Sequence, residues 1–140
     1  MVKNSFGIHK EDYLRELYVI EEKGEIPSVT EIAWRLGVSK PSVSQMMRSL
    51  SKEGLVRFDK YGEIKLKYKG KKIGRDLTAK HRVIETFLNE FLKLDLKEIH
   101  EEAHKLEHDI GQKTFEKLKE ILGNPKTDPH GKEIPQDRQK

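Results

Sequence analysis

The chain has 140 residues, with 28 Lys and Arg against 24 Asp and Glu, and no cysteine. Disulfides, thiolate metal sites and cysteine nucleophiles are therefore excluded. Charged residues make up 37% and hydrophobic ones 34%, so the apolar surface must be buried by several short amphipathic elements packed together or completed by a partner chain. No stretch approaches the ~20 apolar residues of a membrane span. The opening MVKNSFGIHKEDY has no apolar h-region, so the expectation is a cytoplasmic protein with no membrane partner.

In chain order, residues 9–23 carry Tyr13, Leu14, Leu17, Tyr18 and Ile20 at helical spacing, and Gly24 ends that helix. The segment SVTEIAWRLGVSKPSVSQMMRSLSKEGLV then reads as two helices around a tight turn. Val29, Ile32, Ala33 and Leu36 form the apolar stripe of the first, and Gly37 supplies its stop. Ser39 is a suitable N-cap for the second, with Pro41 in its first turn. Val43, Met46, Met47 and Leu50 form its buried stripe, and Gly54 closes it.

The run LVRFDKYGEIKLKYKG predicts a β-hairpin. Its apolar positions Leu55, Val56 and Phe58, then Ile64, Leu66 and Tyr68, are separated by Asp59-Lys60-Tyr61-Gly62. A long helix fits about Lys69 to Phe91, with Ile73, Leu77, Ile84, Leu88 and Phe91 facing inward. Asp95 followed by Glu98 resembles a capping box and starts a helix through about Asp109. A last helix spans about Lys113 to Leu122, with Phe115, Leu118, Ile121 and Leu122 apolar. The tail GNPKTDPHGKEIPQDRQK holds three of the five prolines and is expected to be irregular or disordered.

Charge is unevenly spread. Residues 40–75 hold eleven Lys and Arg against three acids, a net of +8, whereas residues 81–140 hold eleven basic and thirteen acidic residues, a net of −2. A basic half beside a mildly acidic one points to a polyanion partner for the first. Helix, turn, helix, basic hairpin is the order of a winged helix-turn-helix, whose second helix enters the major groove of double-stranded DNA. Ser39, Lys40, Pro41, Ser42, Ser44, Gln45 and Arg48 lie on or beside its DNA-facing side, and Thr30 starts the preceding helix. Gln45 can pair bidentately with adenine. Arg57, Lys60, Lys65 and Lys67 of the hairpin would flank the duplex and add salt-dependent, sequence-blind affinity.

The segment HEEAHKLEHD places His100, His104, Glu107 and His108 at i, i+4, i+7 and i+8, on one face of a helix. Imidazole and carboxylate at that spacing can converge on one divalent ion. His81 and Glu85 form a second i, i+4 pair, and Asp12 lies on the first helix. His104-Lys105-Leu106-Glu107-His108 also matches the H-x-x-E-H pattern of a metallopeptidase class. That reading needs further ligands and a substrate cleft and leaves the DNA-reading half unexplained, so no enzyme and no small-molecule substrate is expected. A non-enzymatic alternative is a constitutive DNA-binding dimer with structural zinc or a protein-contact surface on the histidine helix.

Taken together, EDYLRELYVIEEKG, the helix-turn-helix, KHRVIETFL, HEEAHKLEH and NPKTDPHGKEIP resemble the metal-dependent repressors typified by the diphtheria toxin repressor and the manganese transport regulator. The resemblance implies a mainly α fold with a small β-hairpin wing. It implies a winged-helix domain over 1–72, a helical dimerisation and metal-binding domain over 73–123, and a flexible tail over 124–140. It also implies a homodimer that binds operator DNA when Fe(II) or Mn(II) is abundant, with Zn(II), Co(II) or Ni(II) as substitutes in vitro. Asp12, His104, Glu107 and His108 would form the principal metal site, and His81, Glu85 and His100 the ancillary one. Asp12 stands where the iron-type repressor has methionine, and His104 where it has cysteine. His104 and Arg15 stand where the manganese type has glutamate, so the ligand set is a hybrid. The chain stops at Lys140, so the expected form lacks the SH3-like third domain. His9 and His130 are expected to be bystanders.

Overall fold

We describe residues 10–136 from a computed structural model of the chain. The elements are α1 (Lys10–Glu22), α2 (Val29–Leu36), α3 (Lys40–Lys52), β1 (Val56–Phe58), β2 (Ile64–Leu66), α4 (Tyr68–Glu90), α5 (Leu96–Glu107) and α6 (Gln112–Ile121). They fall into two compact units divided after Arg75. No helix among the described residues is long and apolar enough to cross a membrane.

In the first unit the apolar stripes close one core. Tyr13, Leu14, Leu17 and Ile20 of α1 pack with Ile32 and Ala33 of α2, with Val43, Met47 and Leu50 of α3, and with Val56, Ile64 and Leu66 of the hairpin. Both helices of the turn motif start on a serine. The Ser28 hydroxyl accepts from Glu31 N at 3.1 Å, and the Ser39 hydroxyl accepts from Ser42 N at 3.1 Å. Gly37, at φ 68°, occupies the left-handed conformation that ends α2, and its N–H bonds the Ala33 carbonyl. Strands β1 and β2 pair antiparallel, Val56 with Leu66, Arg57 with Lys65 and Phe58 with Ile64. The Leu66 N–H donates to Glu21 Oε2 at 2.9 Å, pinning the hairpin to α1.

Tyr68 opens α4 instead of extending the strand. The Lys67 N–H closes the ladder on the Leu55 carbonyl at 2.9 Å, and the Lys71 N–H already bonds the Lys67 carbonyl at 2.8 Å. Two glycines let this helix approach its neighbours. A Cβ at Gly70 would lie 2.1 Å from the Leu55 carbonyl oxygen, and one at Gly74 2.5 Å from that of Leu14.

The second unit comprises the remainder of α4, α5, α6 and the following segment. Ile84, Leu88, Ile99 and Ala103 form one apolar cluster. Ala79, Val83, Phe115 and Ile134 form another. Ile134 corrects the reading of the tail as flexible, at least through residue 136. It is 4% exposed, and its N–H bonds the Lys126 carbonyl at 2.8 Å. An Asx-type turn shapes the segment, since Asp128 Oδ1 accepts from His130 N at 2.9 Å and Lys132 N at 2.8 Å. Arg82 of α4 donates to the Glu133 carbonyl at 2.6 Å. Proline and glycine here set a fold-back instead of disorder, because each end of the loop has a partner. One other expectation also changes. Phe91 is 51% exposed, because α4 ends at Glu90 and the apolar stripe does not continue through it.

Gly74→Ala should destabilise the first unit by about 1–3 kcal/mol, although alanine is the better helix former. Chemical denaturation of the full chain checks this; a neutral or stabilising result would contradict the close approach. Ile134→Ala should cost about 2–4 kcal/mol in the same assay, whereas a disordered tail would make it silent.

Candidate metal centre

The second unit brings six imidazole or carboxylate groups of the sequence reading into one neighbourhood. The Asp95 side chain accepts from Lys97 N and Glu98 N, and Glu98 answers the Asp95 N–H at 3.1 Å, which sets the start of α5. With Ile99 and Ala103 turned into the apolar core, helical spacing puts His100, His104, Glu107 and His108 on the adjoining stripe. His81 and Glu85 come from α4, one turn apart, and both are buried.

Glu107 is the hub, at 0% exposure. Its Oε1 accepts from His81 Nδ1 at 2.5 Å. Its Oε2 lies 3.4 Å from His104 Nδ1 and 3.8 Å from His108 Nε2. With Nδ1–H given to Glu107, His81 turns Nε2 toward Glu85 Oε2 at 3.2 Å and His100 Nδ1 at 3.1 Å. His100 Nδ1 is also 3.5 Å from Glu85 Oε2. Donor atoms of His81, Glu85 and His100 lie within 4.8 Å of one another, as do those of His104, Glu107 and His108.

Burial by itself would raise the Glu85 carboxyl, yet hydrogen bonds and charge from His100 and His81 outweigh it and hold the group well below the usual carboxylate range. The charged form is thus the native one. Its contribution to stability is present above the ordinary carboxylate range and is lost as pH falls toward the depressed value. Among the described residues, no buried side-chain nitrogen or oxygen lacks a partner. The donors satisfy one another, and the nitrogen-plus-carboxylate set suits Mn, Fe, Co, Ni or Zn.

Sequence reading missed one group. The tail turn brings Asp128 and His130 to Glu85, their donor atoms again within 4.8 Å, with His130 Nδ1 3.9 Å from Glu85 Oε1. His130 Nε2 also lies 3.3 Å from the Leu96 carbonyl oxygen. His130 is therefore not a bystander by position. The Asp-Pro-His-Gly order, a turn signature, was the available signal. His9 lies outside the described residues.

Asp12 belongs to the first unit, on α1, with 0% exposure. Burial, and then the Asp12 charge, push the neighbouring Tyr13 phenol upward. Arg15, also buried, has Nη2 3.6 Å from Glu16 Oε2. Glu16 in turn accepts from Arg35 Nε at 2.7 Å.

The first unit also carries the nucleic-acid candidates. Thr30, Ser39, Lys40, Pro41, Ser42, Gln45, Arg48 and Lys60 are exposed, and Ser44 is half-buried. The Ser39 hydroxyl also donates to Ser42 Oγ at 2.9 Å, so both hydroxyls serve the helix start. Lys60 Nζ sits 5.4 Å over the Tyr61 ring at the hairpin tip.

Two family models match in tandem. Residues 5–64 match the iron-dependent repressor N-terminal DNA-binding domain, and residues 67–136 its metal-binding and dimerisation domain. The iron-dependent repressor IdeR of Mycobacterium tuberculosis is 36% identical over 125 residues, which are 89% of this chain and 54% of that protein. The diphtheria toxin repressor of Corynebacterium diphtheriae is 32% identical over 125 residues, which are 89% of this chain and 55% of that protein. The solved structure of the manganese regulator SloR superposes with a TM-score of 0.83 at 43% identity, covering 94% of this chain and 61% of SloR. The chain thus spans about half the length of the curated relatives it matches. With both halves matched in the order of the family, the chain belongs to the iron-dependent repressors.

Proposed function

We propose that the chain is a metal-dependent transcriptional regulator that binds operator DNA as a homodimer when Fe(II) or Mn(II) is bound, and that it represses metal-uptake genes. The observation that carries this reading is the buried His/Glu cluster around Glu107 and Glu85, in a domain that follows a helix-turn-helix. Neutral imidazoles and ionised carboxylates are the forms a divalent ion requires. IdeR is named for iron and SloR for manganese, and the ligand set here fits either ion.

In this reading His104, Glu107 and His108 supply the principal site. His81, Glu85 and His100 supply the ancillary one, with Asp128 and His130 beside Glu85. Asp12 is assigned to the principal site from its place in the family and from its being a buried carboxylate. An ion drawing donors from both α1 and α5 would restrict the spacing of the two recognition helices in a dimer, which must match about one helical turn of DNA or a multiple of it. A catalytic role for the H-x-x-E-H stretch is disfavoured, because Glu107, which would have to act as the base, is fully buried and bonded to His81.

Binding of the chelator-stripped protein to its own promoter fragment, with and without Mn(II) or Fe(II), tests the assignment. Glu107→Ala and His108→Ala should lose the metal response while keeping weak, salt-sensitive binding. An equal metal response in wild type and variants would refute the site. On the DNA side, Gln45→Ala should reduce discrimination of operator from random sequence by about 1–3 kcal/mol. Lys60→Ala should weaken all sequences alike, and the reverse pattern would contradict the docking.

A further inference from the structure

Strand register opposes Arg57 of β1 directly to Lys65 of β2. Both are exposed, whereas their neighbours Val56, Ile64 and Leu66 are buried. Like charges directly opposite in a two-stranded ladder destabilise it, and a small hairpin has little reserve against that. Lys67, two residues on and just past the end of β2, is exposed as well. Together with Leu66 and Tyr68 these cations line an open cleft of about 270 Å³. Tyr68 is 83% exposed, with its phenol available as a donor.

Nearby acids are occupied elsewhere or stand off. Asp59 at the hairpin tip accepts from Tyr61 N at 2.9 Å and Glu63 N at 3.0 Å. Glu21, on the buried side, accepts from Leu66 N. Among the described residues, no ion pair joins Arg57, Lys65 or Lys67 to any carboxylate, Glu63 included. By contrast, Lys10 of this unit pairs with Glu53 and Arg35 with Glu16. The lysine at the hairpin tip, Lys60, lies apart from the cleft, over the Tyr61 ring.

We infer that Arg57, Lys65, Lys67 and Tyr68 form a single seat for one phosphate of the DNA backbone, shared between the two strands of the wing. An anion between Arg57 and Lys65 converts their mutual repulsion into two attractions. A guanidinium contributes a planar fork and the ammoniums contribute point charges. This inference rests on the DNA-binding reading and narrows it: four hairpin cations are not four equivalent contacts, because three of them serve one phosphate and Lys60 another.

The test uses the full-length protein and a random-sequence DNA duplex, with affinity measured across a salt series. Arg57→Gln, Lys65→Gln and the double variant are compared with wild type, and Lys97→Gln in the second unit serves as the control. The double variant should lower the slope of log affinity against log salt by about one, the value for one lost phosphate contact. Its affinity loss should be smaller than the product of the two single losses. Lys65→Gln should leave the melting temperature unchanged or raise it, because a repulsive pair is removed. A slope lowered by about two with multiplicative losses would mean two separate phosphates, and would overturn the shared seat. An unchanged slope in a wild type that is itself salt-sensitive would turn the cleft away from DNA and leave the broader reading standing. A wild type without salt-dependent DNA binding would overturn both. Inorganic phosphate at matched ionic strength should compete no better than chloride. Saturable competition by phosphate that the double variant loses would make this a free-phosphate site and overturn the assignment to DNA.

Discussion

The His81–Glu107 hydrogen bond is the interaction on which the second unit depends. Glu107 is fully buried on α5 and His81 nearly so on α4, and either alone would bear a desolvation cost of several kcal/mol. Joined at 2.5 Å, each satisfies the other, and the bond fixes the imidazole so that Nε2 faces Glu85 and His100. One contact thereby orders donors on both sides of it, the His104–His108 pair and the Glu85 group. The apolar clusters hold the helices, but they do not choose which nitrogen of His81 points where.

The same economy explains the segment after α6. Glu85 is shared between His81 and His100 on one side and the His130 turn on the other. That turn holds its shape through Asp128 and is anchored by Ile134 and by Arg82 on the Glu133 carbonyl. A strap of few residues can stay ordered here because its backbone groups and its one large apolar side chain are both accommodated.

Much of this was legible in the sequence for identifiable reasons. Ser39 caps α3, Gly37 ends α2, and the Asp95–Glu98 box opens α5. Such signals are local, since the residue and its partner sit within four positions. The single helical face of His100, His104, Glu107 and His108 follows from periodicity in the same way. What escaped the sequence depends on contacts between segments distant in the chain. Ile134 reads as one apolar residue in a Pro/Gly-rich tail until Phe115, Val83 and Ala79 are placed around it. His130 reads as isolated until the turn carries it to Glu85. Phe91 obeys the helical period in sequence, but α4 ends at Glu90, so the period no longer applies to it. The repulsive Arg57–Lys65 pair needed the strand register, which composition alone does not supply.

The central claim is that metal and operator binding are thermodynamically linked. Linkage requires that operator DNA tighten metal binding by the same factor by which metal tightens operator binding, about 5–150-fold for a coupling of 1–3 kcal/mol. The direct measurement is the Mn(II) affinity of the chelator-stripped protein, determined with and without saturating promoter DNA. The account predicts tighter Mn(II) binding on DNA, by the factor found in the reciprocal titration. Equal Mn(II) affinity in both conditions would show that the histidine cluster binds metal without controlling the DNA-reading unit, and would contradict it.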